Sequence, residues 1–172
     1  MKLTPLNIPE VLLLEPNIFE DDRGFFFESF NQKEFNNLIG RDLFFVQDNH
    51  SKSKKGVLRG IHYQDEPFMQ EKLIRVIKGE IYDVVLDVRK NSTTYGQWVS
   101  QLLSSKNNYQ LFIPKGFAHG FLSLKEGTEV IYKISKPYKK SHERVIKFND
   151  QRFNITWPKL NIEFILSEKD KV

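Results

Sequence analysis

Three stretches of the chain carry residue types at spacings that could support chemistry. The first is Val57-Leu58-Arg59-Gly60-Ile61-His62-Tyr63-Gln64, followed by Lys72-Leu73-Ile74-Arg75-Val76 and Gly79. On a strand, residues 60, 62 and 64 point one way and residues 59, 61 and 63 the other. His62 is therefore expected to share a face with Gly60 and Gln64. Imidazole titrates at about pH 6.5, which suits either proton transfer or metal ligation at neutral pH. The second stretch is Pro114-Lys115-Gly116-Phe117-Ala118-His119-Gly120-Phe121, where a Pro-x-Gly turn delivers His119 at the start of the next strand. The third is Asp21-Asp22-Arg23-Gly24-Phe25-Phe26-Phe27-Glu28, an acidic-basic turn feeding an aromatic strand. Asp83 and Asp87 add a further signal. They fall on one face of an otherwise apolar run, and a buried carboxylate needs a partner.

Each stretch also has a structural reading. A lone strand histidine is more often a surface or satisfied core residue than a catalyst. His119 after its turn could simply bond locally, and Phe25 to Phe27 suit core and interface packing. The charges at 71, 72, 78 and 80 could belong to a solvated hairpin.

The elements that position these residues read mainly as strands. Fifteen phenylalanines in 172 residues tilt the chain towards β-structure. Strands are expected over 24–30, 43–47, 56–63, 72–77, 80–88, 98–103, 109–113, 118–124, 130–134 and 145–148, punctuated by Gly, Pro, Asn and Ser. One helix is expected. Asn31 is its N-cap and Glu34 stands three residues on. Phe30 and Phe35 form a staple, Leu38 and Ile39 share the apolar face, and Gly40 is the stop. Many short strands imply an all-β sandwich or barrel, a jelly roll with a few short helices, whose mouth is a natural pocket. No linker or repeat divides residues 1–172, so one domain is expected. There is no cysteine, which removes disulfides and thiolate chemistry and suits a cytoplasmic protein. No window is long and apolar enough for a membrane partner. The net charge of +4 favours an anionic small molecule. The lysine runs lack interleaved aromatics, so nucleic acid is not expected.

The spacing of Gly60, Gly79, Pro114, Gly116 and His119 resembles the two motifs of the cupin superfamily, whose members usually hold a metal through three His and a Glu. Here only His62 and His119 stand at those places. Gln64 replaces a ligand, and Lys72 lies near the place of the Glu, where a cation opposes a divalent metal. No metal and no cofactor are therefore expected. A finer resemblance covers nearly the whole chain. It is carried by Asp22-Arg23-Gly24-Phe25-Phe26-Phe27-Glu28-Ser29, Phe45-Val46-Gln47-Asp48-Asn49-His50-Ser51, Leu58-Arg59-Gly60-Ile61-His62, Gln70-Glu71-Lys72-Leu73, Gly96-Gln97-Trp98, Ile113 to Phe121, Tyr132-Lys133, Phe148-Asn149-Asp150 and Trp157-Pro158. Together these look like the dTDP-4-dehydrorhamnose 3,5-epimerase family.

That resemblance implies an isomerase that inverts C3 and C5 of a dTDP-linked 4-keto-6-deoxyhexose, on the route to dTDP-L-rhamnose. It implies His62 as the base, Tyr132 as the proton donor, Lys72 as the cation beside the C4 oxygen and Asp170 as the carboxylate on His62. Asp83 is a second candidate, ranked as an inner-barrel partner of the cluster. Arg23 and Arg59 match diphosphate contacts. Phe26, Glu28, Gln47, Asn49, His119, Tyr138, Glu143 and Lys169 match further substrate contacts. The family's barrels pair as homodimers with exchanged N-terminal strands, so Arg23 and Glu28 are expected to serve the partner's site. One segment departs from the pattern. Phe68-Met69-Gln70-Glu71 stands where the family often has small residues, which bears on the identity of the sugar. Three alternatives stay open: inversion of one carbon only, a non-catalytic sugar-nucleotide-binding cupin, and a metal-dependent cupin.

Overall fold

The computed structural model describes residues 1–171. In chain order the strands are β1 (Lys2–Pro5), β2 (Leu12–Glu15), β3 (Phe19–Asp21), β4 (Gly24–Phe26), β5 (Gln47–Ser53), β6 (Leu58–Gln64), β7 (Lys72–Lys78), β8 (Glu80–Asp87), β9 (Trp98–Ser104), β10 (Gln110–Ile113), β11 (Phe117–Ser123), β12 (Thr128–Ile134) and β13 (Glu143–Val145). One α-helix, α1 (Gln32–Ile39), and two 3-10 turns, Lys140–His142 and Glu168–Asp170, complete the structure. The strands form a six-stranded sheet, β1-β2-β10-β7-β12-β5, and a five-stranded sheet, β13-β6-β11-β8-β9. All their pairings are antiparallel. This is the cupin-type jelly roll. A separate hairpin, β3-β4, stands apart from both sheets. Among the described residues, no helix is long and apolar enough to cross a membrane.

The core lies where the two sheets face each other. Leu13, Ile74, Val76, Leu111, Ile113 and Val130 come from one sheet, and Ile81, Val85, Val99, Leu103, Phe117 and Phe121 from the other. Alternation along each strand supplies these residues, because every second side chain points inward. The outer faces are covered too. Phe35 of α1 packs against Phe112 with ring centroids 5.4 Å apart, and Phe30 packs on Phe35 at 5.7 Å with the rings tilted. Asn31 caps the helix by accepting from the amides of Lys33 and Glu34, and Gly40 ends it in the left-handed conformation. On the opposite side, Ile146, Phe153, Ile155 and Trp157 pack over Ile61, Leu86 and Ala118.

Strand expectations change in several places: 24–30 ends at Phe26, 145–148 gives way to β13, β1 to β3 were not expected, and two further changes bear on the site. Of the run 43–47 only Gln47 is strand; Leu43 and Phe45 instead cover the helix cluster. The strand begins at Gln47 and runs to Ser53 through a polar sequence. Gln47, Asn49, Ser51 and Ser53 alternate as its more buried row. The hydrophobic pattern misses it because its inner face lines a polar cavity rather than apolar core. The second change concerns β6. His62 stands opposite His119, but Arg59 stands opposite Phe121, so three residues of β6 span two of β11. This bulge sits at Gly60 and Ile61. It resets the alternation, so Arg59 and His62 line the same cavity instead of pointing apart. Gly60 allows it, with φ at +114° and an added Cβ only 2.6 Å from the Cα of Gly120.

Candidate active site

A cavity of ≈ 510 Å³ opens between the sheets and is lined by both. β6 and β11 contribute Arg59, His62 and His119; β7 and β12 contribute Lys72 and Tyr132. The imidazole and the phenol therefore come from opposite sheets. An adjoining recess of ≈ 240 Å³ shares His62, Lys72 and Tyr132 and adds Gln47, Asn49, Gln64 and Gln70.

His62 is held by its far nitrogen. Its Nε2 lies 2.5 Å from Asp170 Oδ1, and Asp170 Oδ2 accepts from Ser167 Oγ at 2.6 Å. A carboxylate there fixes one tautomer, with Nε2–H donating and Nδ1 left as the basic atom. Asp170 is only 3% exposed although it stands near the end of the chain. The tail is tied down upstream. Ile165 bridges Val57, donating its N–H to Gly56 and accepting from Leu58. Asp83 does not reach His62. Its Oδ2 lies 2.8 Å from His119 Nε2.

Burial sets the protonation states. It lowers the His62 pKa against the pull of Asp170. The imidazole is thus neutral and able to accept a proton at neutral pH. Burial raises Tyr132, with Arg59 and Lys169 opposing, so the phenol keeps its proton. Burial pulls Lys72 down to about 8 against the attraction of Asp83 and Glu143. Burial would raise Glu143, but hydrogen bonds from Lys169 at 2.8 Å and Tyr138 at 3.0 Å hold it below its ordinary value.

The residues suit no metal. The Nε2 atoms of His62 and His119 are each committed to a carboxylate. Gln64 is turned away, donating to the carbonyls of Phe68 and Pro137 and accepting from the Lys139 amide. The ammonium of Lys72 stands in the cavity itself.

Of the residues singled out in the sequence, His62, Lys72, Tyr132, Asp170, Arg59, His119, Tyr138, Glu143 and Lys169 line the main cavity. Gln47 and Asn49 line the recess and bond each other at 2.8 Å. Three stand elsewhere. Arg23 is paired with Asp21 at the tip of the hairpin, with 89% of its side chain exposed. Phe26 is on the same hairpin, and Glu28 accepts from Asn31 beside α1. Ser167, which orients Asp170, was not singled out; its only signal was its place in Ser167-Glu168-Lys169-Asp170. The bulky Phe68 does not line the cavity. It packs on the His142 ring at 4.6 Å.

Over residues 5–172 the chain matches the family described as dTDP-4-dehydrorhamnose 3,5-epimerase. The chain belongs to the dTDP-4-dehydrorhamnose 3,5-epimerase family. It is 53% identical to the dTDP-4-dehydrorhamnose 3,5-epimerase of Shigella flexneri, over 99% of this chain and 93% of that protein. Its fold superposes on the dTDP-6-deoxy-D-glucose-3,5-epimerase of Legionella pneumophila, solved with dTDP-4-keto-L-rhamnose. The TM-score is 0.95 at 45% identity, covering 99% of this chain and 89% of that one. A 3'-monoepimerase of Streptomyces bikiniensis, solved with dTDP-quinovose, is also similar: 34% identity, TM-score 0.91, 97% and 84% covered. In this epimerase-family barrel, the imidazole of His62 and the phenol of Tyr132 flank one cavity from opposite sheets, and the buried Lys72 lies beside them.

Proposed function

We propose that the chain is an isomerase that converts dTDP-4-dehydro-6-deoxy-D-glucose to dTDP-4-dehydro-L-rhamnose, inverting C3 and C5 in dTDP-L-rhamnose biosynthesis. One observation carries the reading. The His62–Asp170 pair projects from one sheet, while Tyr132 and Lys72 project from the other into the same cavity. Inversion next to a ketone needs that arrangement. A base removes a proton from one face, the electrons move into the carbonyl as an enolate, and an acid returns a proton to the other face. His62 is the base, and Asp170 stabilises the imidazolium that forms. Lys72 holds the developing oxyanion at C4. Tyr132 is the donor. In a D-gluco ring the hydrogens at C3 and C5 are both axial on one face, so one base serves both carbons in turn.

Arg59 binds the diphosphate, for which its guanidinium fork is suited. Gln47, Asn49, His119, Tyr138, Glu143 and Lys169 contact the substrate. Two copies pair with exchanged N-terminal strands, and the partner's hairpin brings Arg23, Phe26 and Glu28 to the site. Support comes from the hairpin itself, where Phe19, Phe25 and Phe26 are each more than 60% exposed. Apolar surface of that kind marks a contact.

Inversion at both carbons is favoured over one because the doubly inverting relatives are the more similar. NMR of product formed in deuterated water tests it. Deuterium at both C3 and C5 with the L-rhamno ketosugar accumulating is the expected result. Label at a single carbon with one inverted centre sinks it.

A further inference from the structure

Among the described residues, two buried side-chain polar atoms have no hydrogen-bond partner: Ser51 Oγ and Asp83 Oδ1. The carboxylate oxygen is the more demanding, because a buried charge loses more hydration than a buried hydroxyl. Asp83 is 0% exposed in the middle of β8, with Phe121 and Gln101 beside it in register. Its other oxygen bonds His119. Lys72, on the opposite sheet, is buried yet in no ion pair among the described residues. Asp83 is the foremost anion acting on it and Glu143 the second. The other charged or titratable groups around the cavity are Arg59 and His62 on β6, His119 on β11, Tyr132 on β12, Tyr138 after it, and Lys169 and Asp170 on the C-terminal turn.

We infer that Asp83 is a positioning residue of this site: an ionised counter-charge sealed in the barrel, holding His119 by a hydrogen bond and Lys72 by charge alone. The inference rests on the reading of Lys72 as the cation at the ketone oxygen. A fixed anion behind that cation answers a specific problem. Burial strips Lys72 of water and favours its neutral form, which cannot stabilise an enolate. Asp83 offsets this without entering the cavity, where a carboxylate would repel the enolate. Its own burial is the largest influence on it and raises its pKa, and His119 and Lys72 act against that shift.

Asp83→Asn is the decisive variant. Asparagine keeps an acceptor for His119 and removes only the charge. The basic limb of the kcat/KM profile is expected to move down by about one pH unit. Turnover then falls about fivefold at pH 8 and little at pH 6.5, while dTDP binding stays within about twofold. A uniform loss at every pH, or a limb that does not move, overturns the inference. Lys72→Met is run beside it. If that variant keeps turnover, the reading of Lys72 itself fails. If it is inactive and the Asp83→Asn limb is unmoved, only the role of Asp83 fails. Should Asp83→Asn not fold, carbon NMR of the unaltered protein decides. An Asp83 carboxyl ionised at pH 7.5 supports the inference, and a protonated one overturns it.

Discussion

At the scale of single residues, the proposed base and acid stand on separate sheets. His62 and Tyr132 line one cavity from opposite sheets. His62→Ala is expected to lower kcat by about 10³-fold or more. Binding of dTDP should change less than about twofold, because the proposed diphosphate contact is Arg59 and not the imidazole. Calorimetry and steady-state rates read the two effects separately. Tyr132→Phe should behave differently. It leaves the base in place, so exchange of substrate hydrogen with deuterated water continues while inversion stalls. Full inversion in that variant removes Tyr132 as the donor. The pH dependence has a definite sign. The base must be neutral in the free enzyme, and burial lowers its pKa. The acid limb of kcat/KM therefore lies below the ordinary histidine value of about 6.5. In Asp170→Asn the limb moves further to acid, since an anion that favours the imidazolium is gone. The rate falls about 10²-fold or more, because the ring loses its tether. None of these roles is visible in a lone strand histidine. Asp170 is separated from it by 108 residues, so the pair exists only after folding.

At the scale of elements, the scaffold was more legible than the site's alignment. The helix could be read in full from Asn31, Phe35 and Gly40, because capping and staple rules act within one turn. β7, β8 and β11 were equally plain, since their apolar residues face a core. β5 was hidden because its inner row is Gln47, Asn49, Ser51 and Ser53. The β6 bulge was hidden too, because simple alternation separates Arg59 from His62 and only cross-strand pairing reveals the extra residue. Gly60→Ala tests the bulge. Its Cβ would stand 2.6 Å from Gly120 Cα and 2.7 Å from the His119 carbonyl, both backbone atoms that cannot swing aside. The expected cost is about 3 kcal/mol or more. In a chain of this size that lowers Tm by about 6–12 °C. Activity should fall as well, because the displaced backbone carries both histidines. Gly24→Ala is the control. Its φ is also positive, but nothing lies within 4 Å, so scanning calorimetry should show the smaller shift. Equal shifts would mean that strain, not the close approach of β6 and β11, sets the cost.

At the scale of the whole molecule, one chain does not bring all the proposed substrate residues to one place. The cavity holds His62, Lys72, Tyr132 and Arg59, but Arg23 sits at the tip of a hairpin that joins neither sheet. Exchange of that hairpin between two copies would complete each site with the partner's Arg23, Phe26 and Glu28. Light scattering gives the mass, and subunit mixing gives the argument its test. Arg23→Ala damages only what a chain lends, whereas His62→Ala damages only what it keeps. Each homodimer is then impaired at both sites. In a mixed dimer one site combines His62 of the first chain with Arg23 of the second and is intact, and the other carries both defects. Equal co-expression yields about half mixed dimers by symmetric pairing. Half of their sites are whole, so about one quarter of the unaltered activity should return. If the hairpin served its own chain instead, every site in the mixture would carry one lesion or the other. No activity beyond the average of the two variants would then appear.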